Sequence, residues 1–174
     1  MLQARDLIEI DYKHPDEEVV RLGKLHAALD NQPAEMRRKV ADELLDIVVN
    51  PNEEISARML ACNGLNFSQL QSDLNKTKVA AGLNRILNSE FILYRRSGFP
   101  FLKNKMHLGK IRFLKLCLLG VLLSTLIRID FINSHRLIER IINLIENSQI
   151  KAGLLELFRK QKLDLYRRTR NESL

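Results

Sequence analysis

The side chains best suited to chemistry in this sequence fall in one short stretch, Phe67 to Leu87 (FSQLQSDLNKTKVAAGLNRIL). It carries Lys76, Thr77 and Lys78 in a row, then Asn84 and Arg85 about two helical turns on. Ammonium and hydroxyl groups hold phosphate oxygens, Arg pairs bidentately with guanine, and Asn does so with adenine. The chemistry of the stretch is therefore recognition of a polyanion, not bond making. Other reactive residue types form no such group. His14, His26, His107 and His135 stand at no metal-ligand spacing relative to one another, to Cys or to acids, so no metal and no cofactor is expected. Cys62 and Cys117 each lie inside an apolar helical pattern, which predicts buried thiols in a reducing compartment. Glu53 with Glu54, and Asp16 to Glu18, are carboxylate groups at helix starts, where capping and the helix dipole account for them. No nucleophile elbow, phosphate loop or zinc-protease helix is present, so no catalytic residue is expected and the chain does not read as an enzyme.

The elements that must position these groups are mostly helices. The 174 residues include only 7 Gly and 4 Pro, which favours a mainly α fold over a sandwich or barrel. Residues 2–10 are ambiguous between a short helix and a strand. Pro15 and the acids after it open a helix with Val19, Leu22, Leu25 and Leu29 on its apolar side. A second helix follows Pro33, buries Met36, Val40, Leu44, Ile47 and Val48, and ends at Asn50-Pro51. A third is expected to start there, with Asn50 as N-cap and Glu53 closing a capping box, and Asn63-Gly64 ends it. Leu70 and Leu74 belong to a short helix, and Val79, Leu83, Ile86 and Leu87 to the next. The five-residue step from Leu74 to Val79 breaks the helical phase, which predicts a bend between them.

Phe91 to Arg96 reads as a strand, Ser97 to Pro100 as a turn, and Phe101 to Leu108 as a return strand. From Gly109 to about Ile129 the chain is helical and very apolar. Asn133-Ser134 and Ser148 are expected to cap two further helices. The apolar run Leu116–Ile127 is twelve residues long, too short for the ~20 that span a bilayer. An all-apolar helix of that length belongs at the centre of a bundle or at a subunit interface.

Charge is distributed unevenly. Residues 1–64 hold eight Lys/Arg against thirteen Asp/Glu, a net −5, and residues 65–174 hold twenty against eight, a net +12. Such asymmetry suits a polyanionic partner for the later part, or a solvated basic surface with no partner. The basic end (Arg159, Lys160, Lys162, Arg167, Arg168, Arg170) has two readings. It is a further phosphate-contacting surface, or a set of cations favoured by the dipole at a helix C-terminus.

In order, residues 53–108 read helix, Gly turn, helix, polar turn, helix, strand, turn, strand. Leu65-Asn66-Phe67-Ser68-Gln69-Leu70, then Asn75 to Ile86, then Glu90 to Gly98 match three successive phrases of one family. Over about a third of the chain the sequence thus resembles a winged helix-turn-helix transcription regulator of the MarR, ArsR and PadR kind. The resemblance implies a mainly α fold with a small β-hairpin wing, flanked by N- and C-terminal helices. The implied segments are an acidic helical one at 1–50, the winged helix-turn-helix at 51–108 and a C-terminal helical one at 109–174 that serves dimerisation.

It also implies a DNA-binding transcription regulator, a homodimer on double-stranded DNA, in the cytoplasm and away from the membrane; the acidic N-terminus carries no signal peptide. Lys76, Thr77, Lys78, Asn84 and Arg85 would face the major groove. Arg95 and Arg96, with Lys103 and Lys105, would charge the wing. Ala80-Ala81-Gly82 departs from the family, whose members often carry Ser, Arg or His there, and suits helix–helix packing. Two alternatives stand beside this reading: a helical protein-interaction subunit that packs through Ala80-Ala81-Gly82, and a basic helical RNA-binding accessory protein.

Overall fold

The computed structural model describes residues 2–11, 13–92, 110–145 and 148–171. The chain divides into two compact units, Met1–Gly82 and Leu83–Leu174. By sequence the first holds ten Lys/Arg and fourteen Asp/Glu, a net −4, and the second eighteen and seven, a net +11.

Residues 2–10 resolve as a short helix, α1 (Ala4–Ile8). The Asp6 carboxylate accepts a hydrogen bond from the Gln3 N–H at 2.8 Å, which satisfies one orphan donor of the first turn. α2 (Pro15–Asp30) starts at Pro15, where a missing N–H costs nothing. Arg21 of α2 donates to the carbonyls of Asp6 (2.9 Å) and Glu9 and pairs with Glu18, so it ties α2 to the end of α1. Leu29 of α2 is buried as its spacing predicts, but Val19 is 70% exposed; the stripe is covered only toward its C-terminal end.

α3 (Ala34–Val49) is the central helix of this unit and packs against α1, α4 and α5. It buries Val40, Leu44, Leu45, Ile47 and Val48. α4 (Ile55–Gly64) begins four residues later than the Asn50 cap predicts. The Asn50 side chain accepts from the Asn52 N–H at 3.0 Å, closing a turn in place of a helix cap, and Glu53 pairs with Arg5 at 2.5 Å. Arg58 of α4 is buried and donates from Nε to the Val48 carbonyl at 2.9 Å, which serves an orphan acceptor at the end of α3. α5 (Ser68–Gln71) is a single turn. α6 (Lys76–Ile86) begins in the first unit and ends in the second.

In the second unit the chain passes from α6 into a π-helical stretch, Leu87–Ile92. Here the expected wing is corrected. Phe91 and Ile92, which were to open its first strand, end this helical stretch, and the described residues contain no strand. A short apolar and aromatic run is compatible with either a strand or a buried helix. Asn88-Ser89-Glu90 offers no Gly or Pro to stop the helix, and the Asn88 amide donates back to the Asn84 carbonyl at 2.8 Å. The rest of the expected hairpin lies outside the described residues. The mainly α expectation holds; the small β-hairpin does not.

α7 (Lys110–Ile129) is the apolar helix expected from Gly109 onward. Leu116, Leu118, Leu119, Leu122, Leu123, Leu126 and Ile127 are at most 1% exposed. That run is consumed inside its own unit, against α8 (Phe131–Leu144) and α9 (Ser148–Asn171). α8 starts three residues before Ser134. Asp130 stands at its N-cap, and its carboxylate receives the Asn133 amide at 2.7 Å and the Ser134 hydroxyl at 3.4 Å. Phe131 and Phe158 meet edge to face with centroids 5.0 Å apart, which locks α8 to α9. No described helix is long and apolar enough to cross a membrane.

Candidate nucleic-acid interface

The four residues Ser72 to Asn75 separate α5 from α6, within the length of a helix-turn-helix turn. The turn is held from several sides. Leu74 is buried beneath it, and the N–H groups of Asp73 and Leu74 both donate to the Leu70 carbonyl at 3.0 Å. The Asp73 carboxylate receives Arg37 Nε of α3 at 2.5 Å, and Arg37 also donates to the Gln32 carbonyl at 2.6 Å. The Arg37 guanidinium keeps the Asp73 carboxyl below its ordinary value, chiefly through that hydrogen bond. Sequence spacing gave no signal of this pair, because its members lie 36 residues apart.

Asn75 caps α6: its Oδ1 accepts from the Lys78 N–H at 3.0 Å. Lys76, Thr77 and Lys78 thus form the first turn of α6, and all three are exposed. Val79 and Ala80 turn inward. Gly82 lies against α3 so closely that a Cβ there would meet Leu45 Cδ1 at 3.0 Å and Val49 Cγ1 at 3.3 Å. The departure Ala80-Ala81-Gly82 therefore divides: Ala80 and Gly82 serve packing, and Ala81 is exposed. Lys78 Nζ pairs with Asp42 of α3 at 2.8 Å, both side chains about half exposed. That carboxylate, with Asp46 beyond it, raises the Lys78 pKa. A shallow concavity beside them is lined by Arg38, Asp42, Ser72, Asp73, Asn75 and Lys78, a mixed rather than purely basic surface.

The remaining expected contacts fall in the second unit. Arg85 is exposed. Asn84 is half-buried and donates its amide to the Ser134 hydroxyl of α8 at 3.4 Å, while its Oδ1 is buried without a hydrogen-bond partner. Its amide is thus turned onto α8. Arg95 and Arg96 lie outside the described residues. Among the described residues no three His, Cys, Asp or Glu side chains are grouped so as to hold a metal ion. No family model matches the chain, and no curated protein or solved structure shows significant similarity to it.

Proposed function

We propose that this chain is a DNA-binding regulator that engages duplex DNA through the N-terminal part of α6. One observation carries the reading. A capped helix follows a four-residue turn, shows Lys76, Thr77 and Lys78 to solvent, buries Val79 and Ala80, and lies against α3 at Gly82. A groove-reading helix needs this division between a fixed side and a free, cationic first turn. Arg85 supplies a further exposed guanidinium on the same helix. The Lys78–Asp42 pair is solvent-exposed, and such pairs are weak enough to be exchanged for a phosphate. The reading includes neither a wing nor α7 as a subunit contact, since the α7 leucines are already covered.

The test is binding of the purified protein to random-sequence duplex at low and moderate salt, beside the K76A/K78A/R85A variant. The wild type is expected to bind with an affinity that falls steeply with salt, and the variant to lose most of it. No binding by the wild type, or equal binding by the variant, overturns the reading. A second reading, a helical protein-interaction subunit, is favoured by the Lys78–Asp42 pair and the net negative charge of the first unit. It predicts no salt-dependent duplex binding and a stable complex with a protein.

A further inference from the structure

We infer that the outward face of α9 is a sequence-independent contact for the phosphate backbone of duplex DNA, separate from α6; the inference rests on the DNA-binding reading above. α9 carries seven Lys/Arg and two acids over Ser148–Asn171, a net +5. Its inner side is fixed by Leu154 and Phe158, the latter edge to face with Phe131. Arg159, Lys160, Lys162 and Arg167 are exposed.

Two internal explanations for this charge fail on geometry. The helix dipole acts within the last turn. Arg159, Lys160 and Lys162 stand more than two turns before Asn171, so the dipole accounts only for the cations nearer the end. Nor are these three neutralised by carboxylates. Asp164 pairs with Arg167 at 3.7 Å, but among the described residues no carboxylate lies within 4 Å of Arg159, Lys160 or Lys162. Glu156 and Asp164 share this face, four residues before and after Lys160, but neither closes an ion pair with it, and the face keeps a net positive charge that a polyanion would complement.

The spacing also fits. Arg159 to Arg167 rises ~12 Å along the helix. Duplex DNA presents one negative charge per ~1.7 Å, so about seven phosphates fall within that span. Leu163, 57% exposed, and the half-buried Leu155 are the large apolar side chains beside these cations, too little to anchor a membrane-surface helix.

The test uses the full chain and a random-sequence duplex, with affinity measured across a salt series. Three variants are compared with the wild type: R159A/K160A/K162A/R167A, the charge-conserving swap R159K/K160R/K162R/R167K, and K76A/K78A/R85A. Far-ultraviolet circular dichroism confirms that each is folded. The α9 alanine variant is expected to lower the slope of log K against log salt by about 3.6, at ~0.9 for each of four phosphates left without a cation, while the swap keeps the wild-type slope. Duplex binding with an unchanged slope in the α9 alanine variant overturns the inference and leaves the α6 reading standing. A slope lowered equally in the swap overturns it too, since charge alone is invoked. A wild type that does not bind duplex, including one that binds only vesicles containing phosphatidylserine, overturns both.

Discussion

Asp73 links the candidate interface to a side chain outside it. The residue sits in the turn before α6, and Arg37 reaches it from α3 at 2.5 Å. Its carboxyl titrates below the ordinary aspartate value of about 3.9, chiefly because of that hydrogen bond. The folded state therefore releases this proton more readily than the unfolded chain does. The pair's contribution to stability is complete above about pH 4 and fades as pH falls through the lower, folded value. Urea midpoints at pH 6 and pH 2.5 should show it. Asp73→Asn is expected to be less stable than wild type at pH 6, and the gap should narrow at pH 2.5. A gap of equal size at both values would mean that the carboxylate charge contributes nothing. Lys78 has the opposite sign. Asp42 raises its pKa, so that pair contributes below about pH 10 and weakens above the raised value.

At the scale of the element, α6 is seated by an absence. Gly82 leaves room for Leu45 and Val49 of α3, and no larger side chain fits there without displacing them. Gly82→Leu is expected to destabilise the protein by about 1–3 kcal/mol, the usual cost of overpacking, measured by chemical denaturation. A change within a few tenths of a kcal/mol would mean that α6 is not held at this distance. This packing role was legible in Ala80-Ala81-Gly82, as was the bend demanded by the step from Leu74 to Val79. The helices of Pro15, Gly109 and Ser148 were legible for the same reason: periodicity and end signals agreed there. Where two local rules competed, the sequence was ambiguous. Asn50-Pro51 fits a helix cap, yet the Asn50 side chain closes a turn with Asn52. Phe91 and Ile92 fit a strand, yet they prolong a helix. Partners distant in sequence, such as Asp42 for Lys78 and Ser134 for Asn84, left no local trace at all.

For the whole molecule, the division of charge matches the division of the chain: −4 in Met1–Gly82 and +11 in Leu83–Leu174. The first turn of α6 belongs to the acidic unit and the outward face of α9 to the basic one, so the two surfaces are separated by mutating each in turn. The two cysteines follow the same division. Cys62 is wholly buried in α4 of the first unit, and Cys117 is half-buried in α7 of the second, where burial pushes its thiol pKa up. Cys62 is thus a built-in chemical clock for the first unit. A thiol-reactive probe can modify Cys62 only when the first unit opens, so its rate reports that opening, with Cys62→Ala and Cys117→Ala variants separating the two signals. Cys117 is half-buried and its rate therefore also reflects direct access in the folded state, so the opening of the basic unit is read from urea midpoints, which added random duplex should raise. Equal midpoints with and without duplex would mean that the chain holds none.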